Sequence, residues 1–142
     1  MSGAGPATEL IDRRFARDQI TTLRRDVTLA ARSAGLSGDR LNGFVLAIHE
    51  LVTNAVRHGG GHGHLILRRE AHLLSCDVTD HGPGLADSTP GLPGADSPGG
   101  RGLWLADQLS DALRLAVRAD GLTASVLAYV DTTAAEPAPG DS

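Results

Sequence analysis

The stretch from Leu41 to Val56 limits most strongly what this chain can fold into. Leu41, Phe44, Val45, Ile48, Leu51, Val52, Ala55 and Val56 recur at intervals of three and four. On a helix of 3.6 residues per turn they make one wide apolar stripe. Ser37-Gly38-Asp39 opens the helix, and the glycine-rich run Gly59 to Gly63 ends it. Most of a helix's stability in a protein comes from covering such a stripe, so the rest of the chain has to supply the cover.

The remaining segments can do so. Leu10 to Phe15 reads as a first strand. Ile20, Leu23, Val27, Ala30 and Ala34 keep helical spacing, with Gly35 as the stop. Leu65 to Arg69 and Leu73 to Asp80 are β-rich and joined by a tight turn near Ala71; Leu74, Cys76 and Val78 share one face. A short helix is expected from Arg101 to Leu109. A hairpin of Leu113 to Arg118 and Thr123 to Val130 follows around Asp120-Gly121. Helices that precede and interrupt a run of strands predict an α+β two-layer sandwich with helices on one face.

The 142 residues suffice for one domain but not two. We expect a loose leader at 1–8, the folded domain at 9–131 and a disordered tail at 132–142. Only 3% of the residues are aromatic, so Leu, Val and Ala must carry the packing. No apolar run is long enough to span a bilayer, and no secretory signal is visible. One cysteine, Cys76, permits no internal disulfide, which fits a reducing cytoplasm. The net charge is −4 and the arginines are scattered, which argues against nucleic acid as a partner. The chain contains no lysine. A Walker-type phosphate loop and Schiff-base chemistry both need one, so both are excluded.

Three polar islands interrupt this pattern. In the first, His49-Glu50-Leu51-Val52-Thr53-Asn54-Ala55-Val56-Arg57-His58-Gly59, Glu50 and Asn54 stand one turn apart on one helix face, and Arg57 and His58 continue the line. An amide carbonyl there suits Mg²⁺, and a carboxylate one turn earlier can accept a proton beside a γ-phosphate. Taken alone, the pattern is equally a solvated helix face. The second island, Asp80-His81-Gly82-Pro83-Gly84, ends an alternating strand. An ionised Asp80 could accept the exocyclic amino group of adenine and would repel guanine's carbonyl, while the glycines allow close approach. Alone it is also an ordinary turn. The third, Gly99-Gly100-Arg101-Gly102-Leu103, runs into a helix whose free N–H groups and dipole favour phosphate. Alone it reads more readily as a flexible loop with a helix cap. It is no dinucleotide fingerprint, because no parallel βαβ unit surrounds it.

In their order and spacing the three islands together resemble the N, G1 and G2 boxes of the GHKL ATPases, the group of gyrase, the heat-shock chaperone, sensor histidine kinases and mismatch-repair ATPases. The resemblance runs from about Leu10 to Val130. The segment "HELVTNAVRHG" is most similar to the stand-alone anti-sigma-factor serine kinases. The resemblance implies a Bergerat fold with a mixed, mainly antiparallel sheet, and ATP and Mg²⁺ as cofactors. It implies Glu50 as catalytic base and Asn54 as the Mg²⁺ ligand, with Arg57 and His58 beside them. Asp80, Gly82, Gly84 and Leu85 would hold the adenine side, and Gly100, Arg101, Gly102 and Leu103 the phosphates. Leu85 to Gly99 would form an ATP lid. Thr123 would match a late threonine near the adenine, although Gly-Leu-Thr departs from the family's form, and Trp104 stands where many members have a third glycine.

That resemblance implies a cytoplasmic protein serine/threonine kinase, a homodimer, that phosphorylates an anti-sigma-factor antagonist or sequesters a sigma factor. Two alternatives stay open: a nucleotide-gated binding module with negligible turnover, and a detached histidine-kinase catalytic domain. As a candidate metal cluster, His58, His62 and His64 with the glycines between are read as a solvated loop instead. Cys76 and Trp104 are read as packing residues and His49 as structural.

Overall fold

A computed structural model describes residues 8–58, 60–81 and 100–130. The tail at 132–142, the first seven residues of the leader, Gly82, Gly84, Leu85 and the lid segment lie outside the described residues. Among the described residues, five strands form one sheet: β1 (Thr8–Ala16), β2 (His62–Glu70), β3 (Leu73–Asp80), β4 (Ala112–Arg118) and β5 (Gly121–Tyr129), in the order β1-β2-β3-β5-β4. Every pairing among the described residues is antiparallel, so the mixed character that the resemblance implied is not seen there. The α+β sandwich itself is as expected. β1 starts two residues earlier than the sequence pattern indicated, and Thr8 pairs with Arg69 rather than belonging to a leader.

Among the same residues, three helices cover one face: α1 (Ile20–Ser33), α2 (Gly38–His58) and α3 (Gly100–Leu109). Among the described residues, none is long and apolar enough to cross a membrane. Before α1 a short 3-10 turn spans Arg17–Gln19, where the Gln19 side chain accepts the Ala16 N–H. After α1, Gly35 adopts φ +118°, Leu36 N–H bonds Ala31 C=O and Gly35 N–H bonds Arg32 C=O. This double closure satisfies carbonyls that the last turn would leave open, and it tucks Leu36 into the core. Arg13 on β1 is paired with Asp26 on α1, which ties that helix to the sheet edge.

α2 is the centre of the molecule. Its whole predicted stripe is buried, with Ala47 added, and it packs across β2, β3 and β5. Under it lie Leu65 and Leu67 of β2, Leu74, Cys76 and Val78 of β3, and Ala124, Val126 and Ala128 of β5. Each fully buried leucine contributes about 1.5–3 kcal/mol. The alternation of buried and half-buried residues along β3 places Asp80 on this same covered face. The opposite face is open and polar. It carries an ion pair of Arg68 with Asp77 at 2.9 Å and a bond from His64 to Asp12. The turn between β2 and β3 is made by Ala71 in the left-handed region, at φ +53°.

Cys76 has no exposed surface. Burial above all, and then Asp77, push its thiol well above the usual range, with Arg68 pulling the other way. Ellman's reagent should therefore leave the folded chain unlabelled at pH 8 and label one thiol per chain once denaturant is added. Rapid labelling without denaturant would contradict this burial.

Candidate functional site

The polar line of α2 and the first turn of α3 form one site. α2 is long enough to bury its apolar stripe and still present Glu50, Thr53, Asn54, Arg57 and His58 along an adjacent face. These five residues, with Gly102 and Leu105 of α3, line a cavity of about 300 Å³. α3 comes close because Gly102 has no side chain. A Cβ built there would stand 3.2 Å from Glu50 Oε1 and 3.6 Å from Asn54 Oδ1. The carboxylate and the amide carbonyl therefore converge on one point of the α3 backbone.

Chemically the arrangement is asymmetric. The last turn of α2 supplies cationic or hydrogen-bonding groups in Arg57 and His58, and Glu50 supplies a proton acceptor. The first turn of α3 carries backbone N–H groups without helical partners and the positive end of a dipole, which suits an anion. Glu50 and Asn54 offer hard oxygen donors, the class that Mg²⁺ takes, and Mg²⁺ is commonly held by one or two protein side chains plus substrate phosphates. The donor set fits that ion.

The sequence-derived site residues divide into groups. Glu50, Asn54, Arg57, His58 and Gly102 are brought together round the cavity. Thr53 and Leu105 line it too and were not foreseen, although each lies three residues along its helix from Glu50 and Gly102. Gly100 opens α3, while the side chain of Arg101 lies outside what is described. Leu103 is fully buried, so its side chain packs in the core, and only its backbone belongs to the first turn of α3. Asp80 is 5% exposed at the end of β3, on the face covered by helices, and does not line the cavity. Gly82, Gly84 and Leu85, which the resemblance places on the adenine side with Asp80, lie outside the described residues.

Thr123 is placed differently from expectation. It pairs with Thr79, and their hydroxyls are 3.1 Å apart on the open face. Its neighbour Leu122 is the residue that pairs with Asp80 and turns toward the helices. Side chains on a strand alternate, so Thr123 points away from the Asp80 carboxylate. Trp104 also departs from the packing role read from the sequence: it is 43% exposed, since Leu103 and Ala106 take the core positions of α3.

His49 adjoins the site but faces α1, beside Ile20, Leu23, Arg24 and Val27. Its Nδ1 is buried without a hydrogen-bond partner. Burial first, and then the charge of Arg24, lower its pKa below the ordinary 6.5, against an upward pull from Glu50.

Two outcomes follow. A histidine kept neutral in the fold makes the folded state bind fewer protons than the unfolded one, so stability is full above pH 6.5 and declines as pH falls through it toward the lower folded value. His49→Gln should flatten the thermal-melting profile over that acid window, and equal slopes for both proteins would refute the assignment. In Gly102→Ala, a helix former replaces glycine, worth at most the roughly 0.5–1 kcal/mol of a helix interior at this first-turn position, and the flexible Glu50 carboxylate gives way to the new methyl. The melting midpoint should not fall, while affinity for an anionic ligand at the α3 N-terminus should. A drop of several degrees, or unchanged affinity, would contradict this packing.

A family model described as the histidine kinase-like ATPase domain matches residues 14–127. Among solved structures the chain is similar to the RsbU and RsbW domains of Rv1364c from Mycobacterium tuberculosis, at 20% identity and a TM-score of 0.60. That match covers 83% of this chain and 32% of the other, so the chain spans about a third of that protein's length. At this identity the likeness is one of fold. No curated protein matches the chain.

Proposed function

We propose that this chain, which belongs to the family of histidine kinase-like ATPase domains, binds MgATP between α2 and α3 and passes its γ-phosphoryl group to a hydroxyl of a protein partner. The convergence of Glu50 Oε1 and Asn54 Oδ1 on Gly102, at the free N-terminal turn of α3, carries this reading. The triphosphate lies along that turn, where backbone N–H groups and the helix dipole meet its charge. Arg57 and His58 add donors from the other wall. Asn54 would hold Mg²⁺, which would supply positive charge to offset that of the phosphates. Glu50 accepts the proton of the attacking hydroxyl as its oxygen bonds to the γ-phosphorus and the bond to the leaving ADP breaks. Asp80, at the end of β3, accepts from the adenine amino group.

The partner class follows from "HELVTNAVRHG", which resembles the anti-sigma-factor serine kinases, and the fold likeness to a structure containing an RsbW domain is consistent with it. We take the phospho-acceptor to be a serine or threonine of an anti-sigma-factor antagonist, with a sigma factor as second partner and a homodimer as the working unit in the cytoplasm.

Calorimetry with MgATP, followed by phosphate transfer to candidate antagonists, tests this. Wild type should bind ATP. Glu50→Gln should bind it within a few-fold and lose at least about a hundredfold in transfer, the lower range for a general base. Equal transfer by both proteins would remove Glu50 from the chemistry. Uptake of ATP without transfer to any partner would instead make the chain a nucleotide-gated binding module, and acid-labile phosphohistidine on the product would make it a histidine-kinase catalytic domain.

A further inference from the structure

We infer that Arg118 is a positioning residue for the nucleotide: from the open face of the sheet it holds the backbone of Asp80, and through it the carboxylate offered to adenine. The inference rests on the ATP reading above. Arg118 ends β4, and its guanidinium is used on every arm. Nη2 donates to the Asp80 carbonyl at 2.9 Å, Nη1 to Thr123 Oγ1 at 2.6 Å, and Nε to Asp120 Oδ1 at 3.1 Å. Thr123 is in turn braced by Thr79 at 3.1 Å. The Asp80 carbonyl also abuts Gly121, where a Cβ would stand 2.0 Å from its oxygen. Gly121 has φ +154°, a backbone state that side chains rarely adopt. The carbonyl is thus gripped between a guanidinium and a bare Cα, both from the turn joining β4 to β5.

The position of this grip gives it meaning. Asp80 is the last residue of β3, and its pairing with Leu122 is the last of that ladder. A strand's final residue has lost its onward neighbour and frays unless something else holds it. A rigid planar fork that fixes a carbonyl restrains the φ and ψ of Asp80, and so the direction in which its Cβ and carboxylate leave the sheet. An arginine serving only solubility would stand free in water: the Arg118 side chain is only 34% exposed, and each arm has a defined partner. The side chain touches no reacting atom, because it lies on the face opposite the Asp80 carboxylate.

Titration calorimetry of wild type, Arg118→Ala, Arg118→Lys and Thr123→Val with MgATP and with MgGTP tests the inference. The ATP-to-GTP preference is the discriminating readout, because a carboxylate aimed at the base decides it and general loosening of the sheet does not. Arg118→Ala should bind ATP roughly tenfold more weakly, about one charge-assisted hydrogen bond, and should lose its preference for ATP by a similar factor. Arg118→Lys, which keeps one charged donor, should recover part of that preference. Thr123→Val keeps the shape but removes the brace on Nη1, so it gives the same direction of change if Arg118→Ala does not fold. Arg68→Ala, which breaks an ion pair elsewhere on the same face, should change neither affinity nor preference. An unchanged ATP-to-GTP preference in the folded Arg118 and Thr123 variants would overturn the inference while leaving the ATP reading intact. Absence of ATP uptake by wild type would overturn both.

Discussion

The contact on which this molecule depends is the close approach of α2 and α3. Glycine makes it possible at both ends, once from each helix. A Cβ on Gly43 of α2 would stand 3.0 Å from the Leu109 carbonyl at the end of α3. A Cβ on Gly102 of α3 would stand 3.2 Å from Glu50 of α2. A side chain at Gly43 would press on the backbone of α3 and push the axes apart, whereas one at Gly102 would displace the Glu50 carboxylate from the first turn of α3. Leu103 and Ala106, fully buried between these points, supply the apolar adhesion that holds the pair closed.

α2 therefore works on two sides at once. One side carries nine buried residues, packed against the sheet and the neighbouring helices, and that burial fixes its rotation about its own axis. The rotation decides where Glu50, Asn54 and Arg57 point, since their angular offset from the stripe is set by helix geometry. Packing energy thus serves as the positioning device for the chemistry, and the polar side chains need few bonds of their own.

How much of this could be read in advance follows from which periodicities are strict. The α2 stripe and the β3 alternation match the structure residue for residue, because both are long and uninterrupted. Glu50, Asn54, Arg57 and His58 were legible for the same reason, as spacings of three and four on a helix have one geometric meaning. Thr123 shows the opposite case. On a strand a displacement of one residue reverses the face, and Leu122, not Thr123, stands across from Asp80. The grip of Arg118 on Asp80 joins residues 38 apart and is accepted by a backbone carbonyl, which leaves no mark in the side-chain pattern. Trp104 was misjudged because hydrophobicity alone does not say which positions of a ten-residue helix reach the core.

That misplaced indole has a use. Trp104 is the only tryptophan, and it is 43% open to water on the helix whose first turn faces Glu50 and Asn54. Its emission colour depends on how much water surrounds the ring. The chain thus carries a single built-in optical probe, placed two residues from Gly102, with no other indole to blur its signal.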